Sequence, residues 1–139
     1  MATVKFRIVL LYFLLKYLIL YVLLMFIRQD YAFLRVDKLR SGGDWYYYMF
    51  MFLFLPIINM VLFSAVVYFS FKLKNFIAFV ALIGLVSLAE YLVYVFFTSQ
   101  KYVDEYGVYN GIIGILLFIL LFYRQIKHVY QVSKRHQET

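Results

Sequence analysis

The sequence predicts an all-α polytopic membrane protein: a bundle of four transmembrane helices with both ends in the cytoplasm. Three observations predict it. Of the 139 residues, 66% are hydrophobic and only 15% charged. Four apolar runs each approach the ~20 residues that carry a helix across ~30 Å of hydrocarbon. Most basic residues flank those runs rather than interrupting them. Soluble domains sit near half apolar and a quarter charged, so a chain this apolar must cover part of its surface with lipid.

The first run is Ile8–Ile27, interrupted only by Lys16. It is too long for the apolar part of a secretory signal, and Phe26-Ile27-Arg28-Gln29-Asp30 has no small-residue cleavage site, so it reads as a retained anchor. The second covers about 48–71 and holds the single proline, Pro56, with Asn59 one turn later. The third, 76–97, contains Glu90, and the fourth runs from about 108 to 123. Unpaired backbone groups are not tolerated in lipid, so each run should be a helix. The alternating pattern of a membrane β-barrel is absent from the sequence. Lys72-Leu73-Lys74-Asn75 is short enough to make the second and third spans antiparallel neighbours. The longer 28–44 segment contains Ser41-Gly42-Gly43, a turn before Trp45. Trp45, Tyr46–Tyr48, Tyr102, Tyr106 and Tyr109 read as an aromatic belt at one interface, and Tyr123 marks the other.

Lysine and arginine set the orientation. With the N-terminus inside, Lys5, Arg7, Lys72, Lys74, Arg124, Lys127, Lys134 and Arg135 are cytoplasmic, against Arg28, Arg35, Lys38, Arg40 and Lys101 outside. This favours both termini inside, in a multi-pass protein of the cytoplasmic (inner) membrane. The formal charge of +7 is therefore a matter of topology and anionic lipid rather than nucleic acid.

Lys16 and Glu90 are the most informative positions. A charge near mid-bilayer costs ~2.5–3.5 kcal/mol on insertion scales, so it usually faces the protein interior or a cavity. Lys16 should lie ~2 Å to the cytoplasmic side of its span's middle and Glu90 ~5 Å to the outer side, at 1.5 Å rise per residue. The first and third spans run the same way, so two long side chains bridge the ~7 Å between them if those helices approach. Separate solvation of each charge, or a proton or ion path, are the alternatives.

Pro56 frees a backbone carbonyl and permits a kink, and Asn59 can satisfy that carbonyl or bridge to another helix. Gly107 and Gly111 form a GxxxG with Gly114 beyond it, and Gly84 lies with Ala81 and Ser87 on the third span. Small residues let membrane helices approach closely, within the chain or between copies. The tail, 124–139, continues the fourth span. Ile126, Val129 and Tyr130 lie among Arg124, Lys127, Lys134 and Arg135, a pattern suited to a short helix on anionic lipid.

The chemistry-bearing residues point away from catalysis. There is no cysteine, and the two histidines, His128 and His136, both lie in the tail. No metal site, cofactor or nucleophile–base pair is expected. Leu55–Phe79 (LPIINMVLFSAVVYFSFKLKNFIAF) joins a mid-helix asparagine to a basic hairpin, and the fourth span ends LLFILLFYRQIKH. With the four-span layout, the chain resembles the small exosortase-associated membrane proteins of bacteria, although no paired arginine precedes the fourth span. The resemblance implies a non-catalytic companion of a membrane-embedded transpeptidase. From the residues, the first expectation is an accessory protein that binds a larger membrane partner or copies of itself. The second is an oligomeric channel or transporter, including a phage-defence effector or immunity protein, that uses Glu90 and Lys16.

Overall fold

The computed structural model describes residues 4–28, 46, 49–98 and 105–137. The Ser41-Gly42-Gly43 turn and the belt residues Trp45, Tyr47, Tyr48 and Tyr102 lie outside them. The described residues are helical, joined at 71–75 by a turn, with no strand among them. The elements are α1 (Phe6–Arg28), a π-helical turn (Phe50–Phe54) running directly into α2 (Leu55–Ser70), α3 (Phe76–Thr98) and α4 (Glu105–Gln137). Three of these helices, α1, α3 and α4, are long and apolar enough to cross a membrane, whereas α2 is a shorter apolar helix.

Pro56 explains how α2 begins. Its ring removes one backbone donor and crowds the carbonyl four residues earlier. The backbone widens just ahead of it: the N–H of Leu55 bonds Phe50 O, five residues back, within the π turn. The consequence at Pro56 is thus a π bulge leading into α2. Asn59 is fully buried and donates from Nδ2 to Leu55 O at 2.9 Å, which ties it to its own helix.

The hairpin between α2 and α3 closes with Lys72 N–H to Phe69 O and Leu73 N–H to Ser70 O. Asn75 then starts α3. Its Oδ1 accepts from the N–H groups of Ile77 at 2.9 Å and Ala78 at 3.3 Å, satisfying donors that a helix start leaves free. A third donor, Phe76 N–H, goes to Ser133 Oγ at 3.1 Å, across from the far end of α4.

The segment from Arg124 continues α4, which bends at Phe122 (φ −109°, ψ 15°). Val129 and Ser133 are buried, and the Tyr130 ring meets Phe76 edge-on at 5.3 Å. The spacing 118, 122, 129, 133 carries the inward stripe of the span on into the tail, where it packs beside the start of α3. Arg124, Lys127, Lys134 and Arg135 lie on the exposed side.

The four helices form a ring of neighbours: α1 packs along α2 and α4, and α3 packs along the same two. Helices α1 and α3 are therefore diagonal across the bundle. The core divides in two along its length. Val9, Phe13, Val67, Phe79, Phe118, Phe122 and Val129 fill the end nearer the α2–α3 hairpin. Tyr17, Leu20, Tyr21, Leu55 and Tyr94, backed by Tyr109, fill the other. Tyr109 thus packs inward rather than serving only as an interfacial anchor.

Because Asn75 alone accepts from two helix-start donors, Asn75→Ala should lower the stability of the detergent-solubilised protein by about 1 kcal/mol. Ser133→Ala should lower it by a similar or smaller amount and should also increase hydrogen exchange at Phe76. If Ser133→Ala leaves exchange at Phe76 unchanged, the α4 tail does not hold α3.

Candidate functional site: a buried ion pair across the bundle

The α1 stripe Val9, Tyr12, Phe13, Lys16, Tyr17, Leu20, Tyr21 follows the 3-and-4 spacing of a single helix face, and every member is buried. Lysine sits in it because a partner stands opposite. Lys16 Nζ lies 2.5 Å from Glu90 Oε2, with both residues 2% exposed. Since α1 and α3 are diagonal, this bond spans the bundle interior, and the two long side chains do what the backbones do not.

Gly114 on α4 makes the crossing possible. A Cβ there would stand 2.9 Å from both Lys16 Cε and Nζ and 3.3 Å from the Tyr12 hydroxyl. The same glycine holds Tyr12, whose hydroxyl donates to Gly114 O at 3.2 Å. Gly107 is also at a close contact, since a Cβ would stand 2.8 Å from the Tyr91 ring. Gly111 and Gly84 are not: a Cβ on either meets no heavy atom within 4 Å. The GxxxG pair therefore splits. Within the chain, the close approaches are at Gly107 and Gly114, two turns apart on one face. Gly111 and Gly84 take no part in them.

The pair is incompletely satisfied. Glu90 Oε1 has no hydrogen-bond partner, and neither does Asn110 Oδ1 or Asn59 Oδ1. Asn110 is 1% exposed and lies beside the Tyr17 hydroxyl, which also faces Glu90, Tyr21 and Tyr94. Tyr17 escaped the sequence reading, and Asn110 entered it only as a polar residue near the start of the fourth span. The signal was available, since Tyr17 follows Lys16 on the same stripe and Asn110 lies one turn before Gly114. On the opposite side, a groove of about 240 Å³ opens between α3 and α4. Its walls include Phe79, Ile83 and Phe118, and it reaches Tyr12 and Gly114. Pro56 and Asn59 are buried on α2, with no bond from Asn59 to the pair among those described.

In class, the chain is an all-helical bundle with three membrane-length helices and a charge pair in its core. No protein-family model, curated protein or solved structure matches it.

Removing one partner of a buried pair strands the other, at ~3–5 kcal/mol, whereas removing both costs far less. Lys16→Met and Glu90→Gln should each reduce folded protein recovered in detergent, and the double variant should regain most of it. Simple addition of the two losses would show that the residues act independently. The glycines should separate as well. Gly114→Ala displaces Lys16 and lowers the melting temperature, whereas Gly111→Ala and Gly84→Ala raise stability by up to about 1 kcal/mol through helix propensity. Equal effects at all three sites would contradict the contact geometry.

Proposed function

We propose that the chain is a non-catalytic four-span accessory protein of the cytoplasmic (inner) membrane, with both termini inside, which binds and stabilises a larger membrane protein. The observation that carries this reading is the internal pairing of Lys16 with Glu90. Intramembrane charges that do not line a cavity are held inside a bundle by pairing with one another; here the two charges pair inside one chain. What remains for interaction is the outer face, where Leu14, Leu18, Phe96 and Leu120 are exposed and Gly84 and Gly111 leave room for another helix to approach. The chemistry-bearing residues offer no nucleophile–base pair, and among the described residues no group of three or more His, Asp or Glu stands together. The resemblance to exosortase-associated proteins makes a membrane-embedded protein-sorting enzyme a natural partner.

A second reading, an oligomeric channel or transporter, is favoured by one specific observation: the unpartnered, buried Glu90 Oε1.

Purification of the tagged chain in mild detergent should bring down a defined larger membrane protein. Gly84→Leu with Gly111→Leu should lose that protein without lowering the melting temperature. Recovery of the wild-type chain alone, together with ion flux in proteoliposomes that disappears in Glu90→Gln, would replace the first reading with the second.

A further inference from the structure

The groove between α3 and α4 has a definite length. On α3 it runs from Phe76 to Ser87, and on α4 from Ile126 to Gly114. About eleven or twelve residues at 1.5 Å rise give ~16–18 Å, close to half of the ~30 Å hydrocarbon thickness. The inner end lies beside Lys16, whose side chain is what a Cβ on Gly114 would meet. Rise per residue puts Lys16 within ~2 Å of its span's middle. Beyond Gly114 the two helices close on each other: a Cβ on Gly107 would stand 2.8 Å from the Tyr91 ring. The groove therefore has the depth of one leaflet and stops near the midplane. A partner's transmembrane helix needs a seat along the whole span, whereas a lipid acyl chain needs one of this length.

Charge at the outer end selects the lipid. Among the described residues the carboxylates are Glu90, inside the bundle, and Glu105, at the opposite end from the hairpin. Lys72, Lys74, Arg124 and Lys127 are all exposed at the hairpin end. Two of these lysines flank the mouth of the groove. Lys74 lies two residues before Phe76, and Lys127 follows Ile126, both of which line it. The bond from Phe76 N–H to Ser133 Oγ and the edge-on contact of Phe76 with Tyr130 hold the α4 tail against the start of α3. The two lysines thus come from segments fixed to each other. Neither makes a salt bridge among the described residues. Basic residues at a membrane surface attract anionic lipid headgroups.

We propose that the α3–α4 groove binds one anionic phospholipid from the leaflet on the hairpin side. Its phosphate lies between Lys74 and Lys127, and one acyl chain follows Val80, Ile83, Ile115 and Ile119 inward to Gly114. The path is apolar until Ser87 at its inner end. Tyr12 makes no demand on the lipid there, since its hydroxyl is bonded to Gly114 O. Recognition is divided between the two ends: the walls take a chain, which any phospholipid has, and the lysines discriminate by charge. The bound chain ends against Tyr12 and Gly114, the residues beside the ion pair, and covers them from the hydrocarbon. The proposal requires the membrane setting but not the binding of a larger partner protein.

Native mass spectrometry of the full chain, stripped of lipid in mild detergent, tests it by titration with dioleoylphosphatidylglycerol or dioleoylphosphatidylcholine. A lysine near the surface contributes about fivefold to the binding of anionic lipid, so one phosphatidylglycerol per chain should bind about 25-fold more tightly than phosphatidylcholine. Lys74→Gln with Lys127→Gln should remove that preference. Ile119→Trp fills the groove and should weaken both lipids, whereas Leu120→Trp, at an exposed neighbour outside the walls, should leave them unchanged. Melting in lipid-free detergent checks that each variant is folded. Glycerol phosphate and dihexanoylphosphatidylglycerol carry the charge without the long chain, and neither should displace dioleoylphosphatidylglycerol from the wild-type protein at equal concentration. Equal binding of the two dioleoyl lipids would overturn the proposal. Displacement by glycerol phosphate would overturn it too, by reducing the site to surface charge. Both of those comparisons use the wild-type chain, so they decide the matter even if a variant does not fold.

Discussion

A lysine and a glutamate in the interior of an apolar bundle constrain everything around them. Each must be neutralised, and the partners lie on helices that are not neighbours. The face of α1 that turns inward is the one bearing Lys16, and the face of α3 that turns inward is the one bearing Glu90. The diagonal reach then dictates what α4 can place between them. Only a residue without a side chain leaves space for the ammonium group, and Gly114 supplies it together with a carbonyl for Tyr12. A buried ion pair contributes little net stability, because desolvation offsets most of the Coulomb gain. Its value here lies in specificity: any rotation of α1 or α3 that separates the charges leaves both uncompensated in an apolar interior.

Much of this was legible in the residues. The lengths of the apolar runs located the helices, and the rise per residue put Lys16 and Glu90 within reach in depth. Depth arithmetic contains no information about lateral position, however, so the diagonal arrangement could not be read from it. The glycines were ambiguous for a related reason. Gly107, Gly111 and Gly114 all lie within a narrow arc of α4, and a small rotation of the helix decides which of them meets a neighbour. That rotation is set by Asn110, Gly114, Phe118 and Phe122 turning inward together. The bulge ahead of Pro56 was half legible: proline announced a disturbance but not its form. In the tail, the spacing of Ile126, Val129 and Tyr130 was legible, but Ser133, which continues the inward stripe, was hidden among the charges.

The two halves of the core divide the physical tasks. The hairpin half is close-packed aromatic: Phe122 lies 5.0 Å from both Phe71 and Phe118, and Tyr12 meets Phe118 edge-on at 5.7 Å. Such ring contacts add to the area they bury, and side-chain caps at Asn75 and Ser133 secure the helix end beneath them. The other half has a π turn in place of a regular helix and polar oxygens without partners. A bundle can hold unsatisfied groups in one half only if the other half over-determines the packing. Conformational change in this chain should therefore be confined to the tyrosine half. The lever that could move the phenylalanine half is the α4 tail, whose bend at Phe122 connects the exposed basic face directly to the centre of the aromatic cluster. An anionic surface or partner drawing on Lys127 would act on that bend first. It would reach Tyr12, beside the ion pair, through Phe122 itself and through Phe118 one turn earlier, whose rings meet Tyr12 edge-on at 6.0 and 5.7 Å.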